Sequence, residues 1–290
     1  MDPVGYVSSP AISLQMPTGC SLFFLLVAQQ TVTAVRLTRG QLIGGCCAAA
    51  VPIACEAYAR APPSWSAADL PSLFINSNAE TLVIVLHGSG GPDANVARIT
   101  KSLQSSNTAV VEYDWSAYVG DQLQGPFNAK RIGSHLADEI QASGKPLKRL
   151  HVVGISVGAF AADALVTRFT SRRARRSAST HVKLTLLDPF TARGLPGLIR
   201  PGTAYGVATF GRTADVAQCV INTDDPVPST SLPLVHAVNF DITDCAERTG
   251  FVPLEGDSLH SWPAAWYGFH PTALEEAGRG LARGAVVAIP

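Results

Sequence analysis

The run Arg149-Leu150-His151-Val152-Val153-Gly154-Ile155-Ser156-Val157-Gly158-Ala159 constrains this chain more than any other stretch. An apolar, β-branched strand runs into Gly-x-Ser-x-Gly and then into an alanine-rich helix, expected over about residues 157–170. A strand that turns sharply into a helix needs small residues where the two backbones crowd, and Gly154 and Gly158 supply them. Ser156 is left at the apex. A serine hydroxyl is a weak nucleophile unless it is held exposed beside a base, which such a strand–turn–helix does. Five residues with three fixed recur by chance, so the flanking sequence must carry the reading.

From about residue 70 the pattern alternates between strand and helix. Residues 81–86 form a continuous apolar run ending in His87-Gly88-Ser89-Gly90-Gly91. Residues 109–115 read as a second strand. Ile132, Leu136 and Ile140 fall on one face of a helix over 128–142, with Gly144 as its stop. After the serine motif come strands at 181–187, ending in Asp188-Pro189, and at 216–223, ending in Asp224-Asp225-Pro226. A last short strand is expected at 235–242. Alternation of this kind predicts an α/β fold with a mostly parallel central sheet and helices on both faces. Residues 61–290 are expected to form that single domain. No internal repeat is present. In such sheets the chemistry lies at the carboxyl ends of the strands.

The first 60 residues differ. Arg36 and Arg39 precede an apolar segment at 42–54, and Ala57-Tyr58-Ala59 follows. Basic, apolar and small residues in that order resemble an export signal with its cleavage site, so a secreted or exported protein is expected; the alternative is a buried N-terminal helix, against which Gly and Pro crossing the apolar segments speak. Residues 21–28 form a shorter apolar run, and Ile43-Gly44-Gly45-Cys46 loosely matches a lipoprotein acylation box. Of six cysteines, Cys219 and Cys245 would remain after removal of a leader, and in an exported domain they are expected to pair. Lysine plus arginine equals aspartate plus glutamate, 22 each, so no global field draws the chain to nucleic acid. Arg172, Arg173, Arg175 and Arg176 read as a solvated surface loop, with contact to an anionic lipid interface as the sharper alternative. No Cys-x-x-Cys or His-rich cluster suggests a metal, and the glycine loop lacks a nucleotide-binding pattern, so no cofactor is expected.

A serine hydrolase needs a nucleophile, a base, an acid that orients the base, and donors for the oxyanion. Ser156 is the candidate nucleophile. Asp188, Asp224 and Asp225 each end a strand and are candidate acids. Of seven histidines, His260 lies beyond the last expected strand, as the order Ser, Asp, His requires. His87 and His151 read as packing residues. The backbone N–H groups of Val157 and Ser89 are the candidate oxyanion donors.

These residues, taken in order, resemble the catalytic domain of the pancreatic-lipase-like α/β-hydrolases. The resemblance runs over roughly 80–260. It is carried by His87-Gly88, Tyr113-Asp114-Trp115, Lys130-Arg131-Ile132-Gly133, the Ser156 motif, Leu187-Asp188-Pro189 and Val220-Ile221-Asn222-Thr223-Asp224. It implies an α/β-hydrolase fold, a triad of Ser156, Asp188 and His260, and an oxyanion hole from Ser89 and Val157. Ile155 and Val157 depart from the family's usual His and Leu around the serine. No cysteine-bracketed lid is evident, so a soluble ester or a phospholipid fits as well as a triglyceride.

The expected activity is therefore hydrolysis of a carboxylic ester, with an ester or lipid as partner and lipid metabolism as the setting. An acyltransferase and a non-catalytic lipid-binding module are the competing readings. Residues 189–215 and 243–259 can border the site, and Trp262, Trp266 and Tyr267 suit either an apolar wall or the core.

Overall fold

A computed structural model describes residues 47–75, 79–173, 180–194 and 205–290. The expected apolar run at 21–28 and the acylation box at 43–46 lie outside the described residues. So does part of the basic loop, residues 174–179.

Seven strands form one sheet: β1 (Thr81–Leu86), β2 (Thr108–Tyr113), β3 (Arg149–Ile155), β4 (His181–Leu187), β5 (Val216–Ile221), β6 (Val238–Asp241) and β7 (Val286–Ala288). Their order is β2-β1-β3-β4-β5-β6-β7, and every neighbouring pair is parallel. The strands expected from sequence form, with β6 shorter than expected and β7 unforeseen. The α-helices among the described residues are α1 (Cys47–Arg60), α2 (Ala94–Ser102), α3 (Gly125–Ala142), α4 (Gly158–Arg173), α5 (Tyr205–Thr209), α6 (Trp262–Phe269) and α7 (Ala273–Ala277).

The central strands are buried on both faces because their residues alternate between two cores. Leu82, Ile84 and Leu86 of β1 point toward α3 and α4, where Ile132, Leu136, Phe160 and Leu165 meet them. Val83 and Val85 point the other way, toward Ile99 of α2 and Trp266 of α6. Helices thus cover both faces of the parallel sheet, as the continuous apolar runs require. Trp262, Trp266 and Tyr267 are core residues on the second face and form no wall beside the site.

The same two-sidedness decides the cysteines. Cys219 of β5 packs in the first core and Cys245 in the second, so the sheet lies between them. Both are buried free thiols, and the disulfide expected from sequence does not form.

The compact unit runs from Pro52 to Pro290 and so begins earlier than residue 61. Within it Cys55 and Ala59 of α1 are buried. The Tyr58 hydroxyl donates to Asp121 Oδ2 at 2.6 Å, and Arg131 donates to the carbonyls of Arg60 and Ala61. Of the stretch read as a cleavage site, Ala59 is buried while Ala57 and Tyr58 are exposed. No described helix is long and apolar enough to cross a membrane.

Strand order reverses direction at one place. From β1 the chain goes outward to β2, then returns to the other side of β1 with β3 and continues outward through β7. The carboxyl ends of β1 and β3 flank that switch point, where open parallel sheets form their ligand crevice. The loops leaving there begin with His87-Gly88 and Ser156.

Candidate active site

Ser156 follows β3 directly and has φ of +52°, in the left-handed region that a non-glycine residue seldom adopts. The turn is imposed by what surrounds it. Its N–H donates to Leu187 O at 3.1 Å, and its carbonyl accepts from the N–H groups of Ala159 and Phe190, each at 3.1 Å. Helix α4 starts so close to β1 that a Cβ on Gly158 would lie 2.5 Å from the carbonyl oxygens of Leu86 and His87. A Cβ on Gly88 would sit 3.2 Å from Ser156 Cβ, so the loop after β1 runs against the serine.

That loop is braced by His87, which is fully buried. Its Nε2 accepts the Trp115 N–H at 3.0 Å, which leaves the proton on Nδ1 to donate to Gly88 O at 2.6 Å. The ring stacks on the Trp115 indole, whose Nε1–H returns a bond to His87 O at 3.2 Å. Every polar atom of this imidazole is thus engaged in fixing the loop, consistent with a packing role. His151 is likewise a core residue. It is bonded to Thr185 Oγ1 at 2.9 Å, and burial pulls its imidazole well below the ordinary range. The N–H groups of Ser89 and Val157 have no acceptor among the described residues.

Asp188 follows β4, one strand over from Ser156, also with positive φ, at +44°. Its N–H donates to Val220 O at 2.8 Å. Asp225 lies four residues beyond β5. His260 sits in a single helical turn, Leu259–Ser261, capped by the Ser258 hydroxyl, which accepts the His260 N–H at 3.2 Å. The three side chains meet. His260 Nδ1 donates to Asp188 Oδ2 at 3.0 Å and to Asp225 Oδ2 at 2.8 Å. Of the three aspartates considered from sequence, two reach the ring and one does not: Asp224 turns away to Arg248, 3.1 Å distant.

Asn222, at the end of β5, was not singled out from sequence. Its N–H donates to Asp188 Oδ1 at 3.3 Å and its Nδ2 to the Leu259 carbonyl at 3.1 Å. It therefore links one acid to the turn that carries His260. An asparagine right after a buried strand is a turn residue by default, so the sequence holds no separate signal for this role.

The electrostatics follow from burial and pairing. Burial pulls the His260 imidazole down, but the two carboxylates outweigh it and hold the group up at about 10. Burial pushes the Asp188 carboxyl up to about 8 against the pull of His260. Burial also acts upward on Asp225. There the hydrogen bonds from His260, Asp188 and Thr230 win and hold it below the ordinary carboxylate range.

His260 Nε2 is buried and has no hydrogen-bond partner, so no bond joins it to Ser156 Oγ. Catalytic hydrogen bonds in ligand-free proteins are often unformed and tighten with substrate.

Among the described residues, Asp188, Asp225 and His260 are the one group whose donor atoms lie near enough together, within 4.8 Å, to suggest a metal ion. Their surroundings fit hydrogen bonding instead. Nδ1 faces two acceptors and so carries a proton rather than a free lone pair. Three carboxylate oxygens of the pair also accept N–H or O–H groups, from Asn222, Val227 and Thr230.

No model of a known protein family matches this chain, and no curated protein matches it.

Proposed function

We propose that the chain is a serine carboxylic-ester hydrolase on an α/β-hydrolase fold of the pancreatic-lipase-like kind. One observation carries the reading. A serine held at positive φ on a strand–helix elbow ends the strand next to the one that carries Asp188, and Asp188 and Asp225 take the Nδ1–H of a half-buried histidine whose Nε2 has no hydrogen-bond partner. In this reading neutral His260 accepts the Ser156 proton at Nε2 as Oγ attacks the ester carbonyl. The carboxylates stabilise the imidazolium. The Ser89 and Val157 N–H groups hold the tetrahedral oxyanion. The imidazolium returns its proton to the departing alcohol, leaving an acyl-serine. Water, deprotonated by the same nitrogen, then attacks and releases the acid. The substrate is a soluble ester or a phospholipid, and the protein acts after export, with a lipid interface as its surroundings.

Ser156→Ala is expected to lower turnover of short p-nitrophenyl esters by at least ~10³-fold, and a fluorophosphonate probe is expected to label Ser156. Undiminished hydrolysis by the variant would end the proposal. The missing Ser156–His260 hydrogen bond favours a second reading, a non-catalytic lipid-binding module. A well-folded protein that resists the probe and hydrolyses no ester supports that reading.

A further inference from the structure

A triad needs one acid, yet two carboxylates meet the same imidazole nitrogen here. Asp188 Oδ2 is 3.0 Å and Asp225 Oδ2 2.8 Å from His260 Nδ1. They come from the ends of adjacent strands, β4 and β5, so neither is a chance neighbour of the other in sequence. Both side chains are shut off from solvent, at 1% and 0% exposed. Two carboxylates this close inside a protein cannot both ionise freely, and one tends to keep a proton.

The donors around them differ. Asp225 accepts from Val227 N–H at 2.9 Å, from the Thr230 hydroxyl and from His260. Asp188 accepts from His260 and, at a longer 3.3 Å, from Asn222 N–H. Negative charge is better solvated on Asp225. The remaining nearby charges are occupied elsewhere: Asp224 pairs with Arg248, and the Cys219 thiol beside Asp188 is pushed up by burial and stays neutral.

We propose that His260 is positioned by a pair of acids rather than by one, with Asp225 carrying the charge and Asp188 holding a proton, and that either can take over when the other is lost. The proposal rests on the hydrolase reading for its catalytic meaning but not for its geometry. Asp188 and Asp225 are positioning residues that act through the ring. The backbone at Asp188 favours asparagine as its replacement, because asparagine tolerates the left-handed region.

The test is an NMR titration of His260 in the Ser156→Ala background, in which no turnover occurs. It compares otherwise wild-type protein with Asp188→Asn, Asp225→Asn and the double variant. With both acids present, the ring signal is expected to shift twice with pH, once as the acid pair releases its proton and again as the ring loses its own. That second midpoint should lie well above the ordinary ~6.5. Each single substitution should lower it by about one pH unit or more. A single inflection with both acids present, or one substitution that leaves the midpoint unmoved, would overturn the pair.

With Ser156 restored, each single variant should lose roughly thirtyfold or less in kcat/KM, since the surviving acid compensates. The double variant should lose about 10⁴-fold, the cost of replacing a lone triad carboxylate by an amide. A single variant as damaged as the double would likewise overturn the pair. If Ser156 proves dispensable for hydrolysis while the titration behaves as described, the hydrolase reading falls and the acid pair stands. If Ser156 takes the probe while one acid proves inert, the reverse holds.

Discussion

Ser156 and Asp188 end neighbouring strands and both occupy the left-handed region. Such a conformation costs roughly 1–2 kcal/mol at a residue with a side chain, so packing on all sides must hold it. At Ser156 it is held by the carbonyl of Leu187 and the N–H groups of Ala159 and Phe190. The motif at Ser156 was legible in sequence because glycine is needed at Gly158, where no Cβ fits. The acid was not. Asp188-Pro189 and Asp225-Pro226 look alike as strings, and only the fold shows both turning to one ring. The pH response belongs to this scale. His260 must be neutral to accept the serine proton, and two carboxylates hold its imidazole up at about 10. The competent fraction is therefore small at pH 7 and grows as pH rises. kcat/KM is expected to keep rising past pH 8, where an ordinary histidine near ~6.5 would have levelled off. A profile flat above pH 7.5 would contradict the strong pairing. Dialysis against EDTA should leave the rate unchanged. A loss restored by a divalent ion would reassign the three side chains to metal binding.

Elements were legible in proportion to how plainly they alternate or repeat. Strand β1 is a continuous apolar run closed by His87-Gly88, and β4 alternates polar and apolar residues before Asp188-Pro189; the expected bounds of both match those observed. Helix α6 was hidden. It is buried over nearly its whole surface, so it shows no periodicity, and Pro263 in its first turn reads as a breaker although proline is tolerated there. Strand β7 has three residues and no pattern to detect. Two elements carry predictions of their own. Where α3 crosses α4, a Cβ on Gly133 would lie 2.0 Å from Ala161 O, a backbone atom that cannot yield without separating the helices. Gly133→Ala is expected to destabilise by about 3 kcal/mol or more, read as a lower denaturant midpoint. Asp163 of α4 is buried, with Gly211 N–H as its bonded donor at 3.0 Å, and burial pushes its carboxyl up to about 6. The folded state therefore binds this proton more tightly than the unfolded one. Its contribution to stability is greatest below about pH 4 and falls as pH rises toward 6. In Asp163→Asn that fall should shrink by roughly 2–3 kcal/mol, measured as the difference in unfolding free energy between pH 4 and pH 7. An equal slope in both proteins would place the buried proton elsewhere.

At the scale of the whole molecule, layer and face were what the sequence could not supply. Six strands and their parallel pairing follow from the alternation with helices. Which face each side chain meets depends on register, since a shift by one residue exchanges the faces. Cys219 and Cys245 failed to pair for that reason, and peptides from unreduced protein should show them unlinked to each other. The compact unit starts at Pro52, upstream of the boundary expected at residue 61, for a related cause. Basic residues, an apolar stretch and Ala57-Tyr58-Ala59 look like a leader, but the same small apolar residues suit a helix that packs closely. Cys55 and Ala59 are buried, the Tyr58 hydroxyl is bonded to Asp121, and Arg131 caps the carbonyls of Arg60 and Ala61. A chain beginning at Ala61 would expose the surface those residues cover and leave the Arg131 guanidinium short of an acceptor. Losing two small buried side chains and these hydrogen bonds is expected to cost roughly 2–3 kcal/mol. For a domain of this size that lowers Tm by roughly 4–12 °C relative to a chain beginning at Pro52. Equal melting temperatures would mean that α1 is dispensable and would restore the domain boundary at residue 61. A depressed Tm would place any removal of a leader upstream of Pro52, because cleavage after Ala59 would strip the domain of a packed helix.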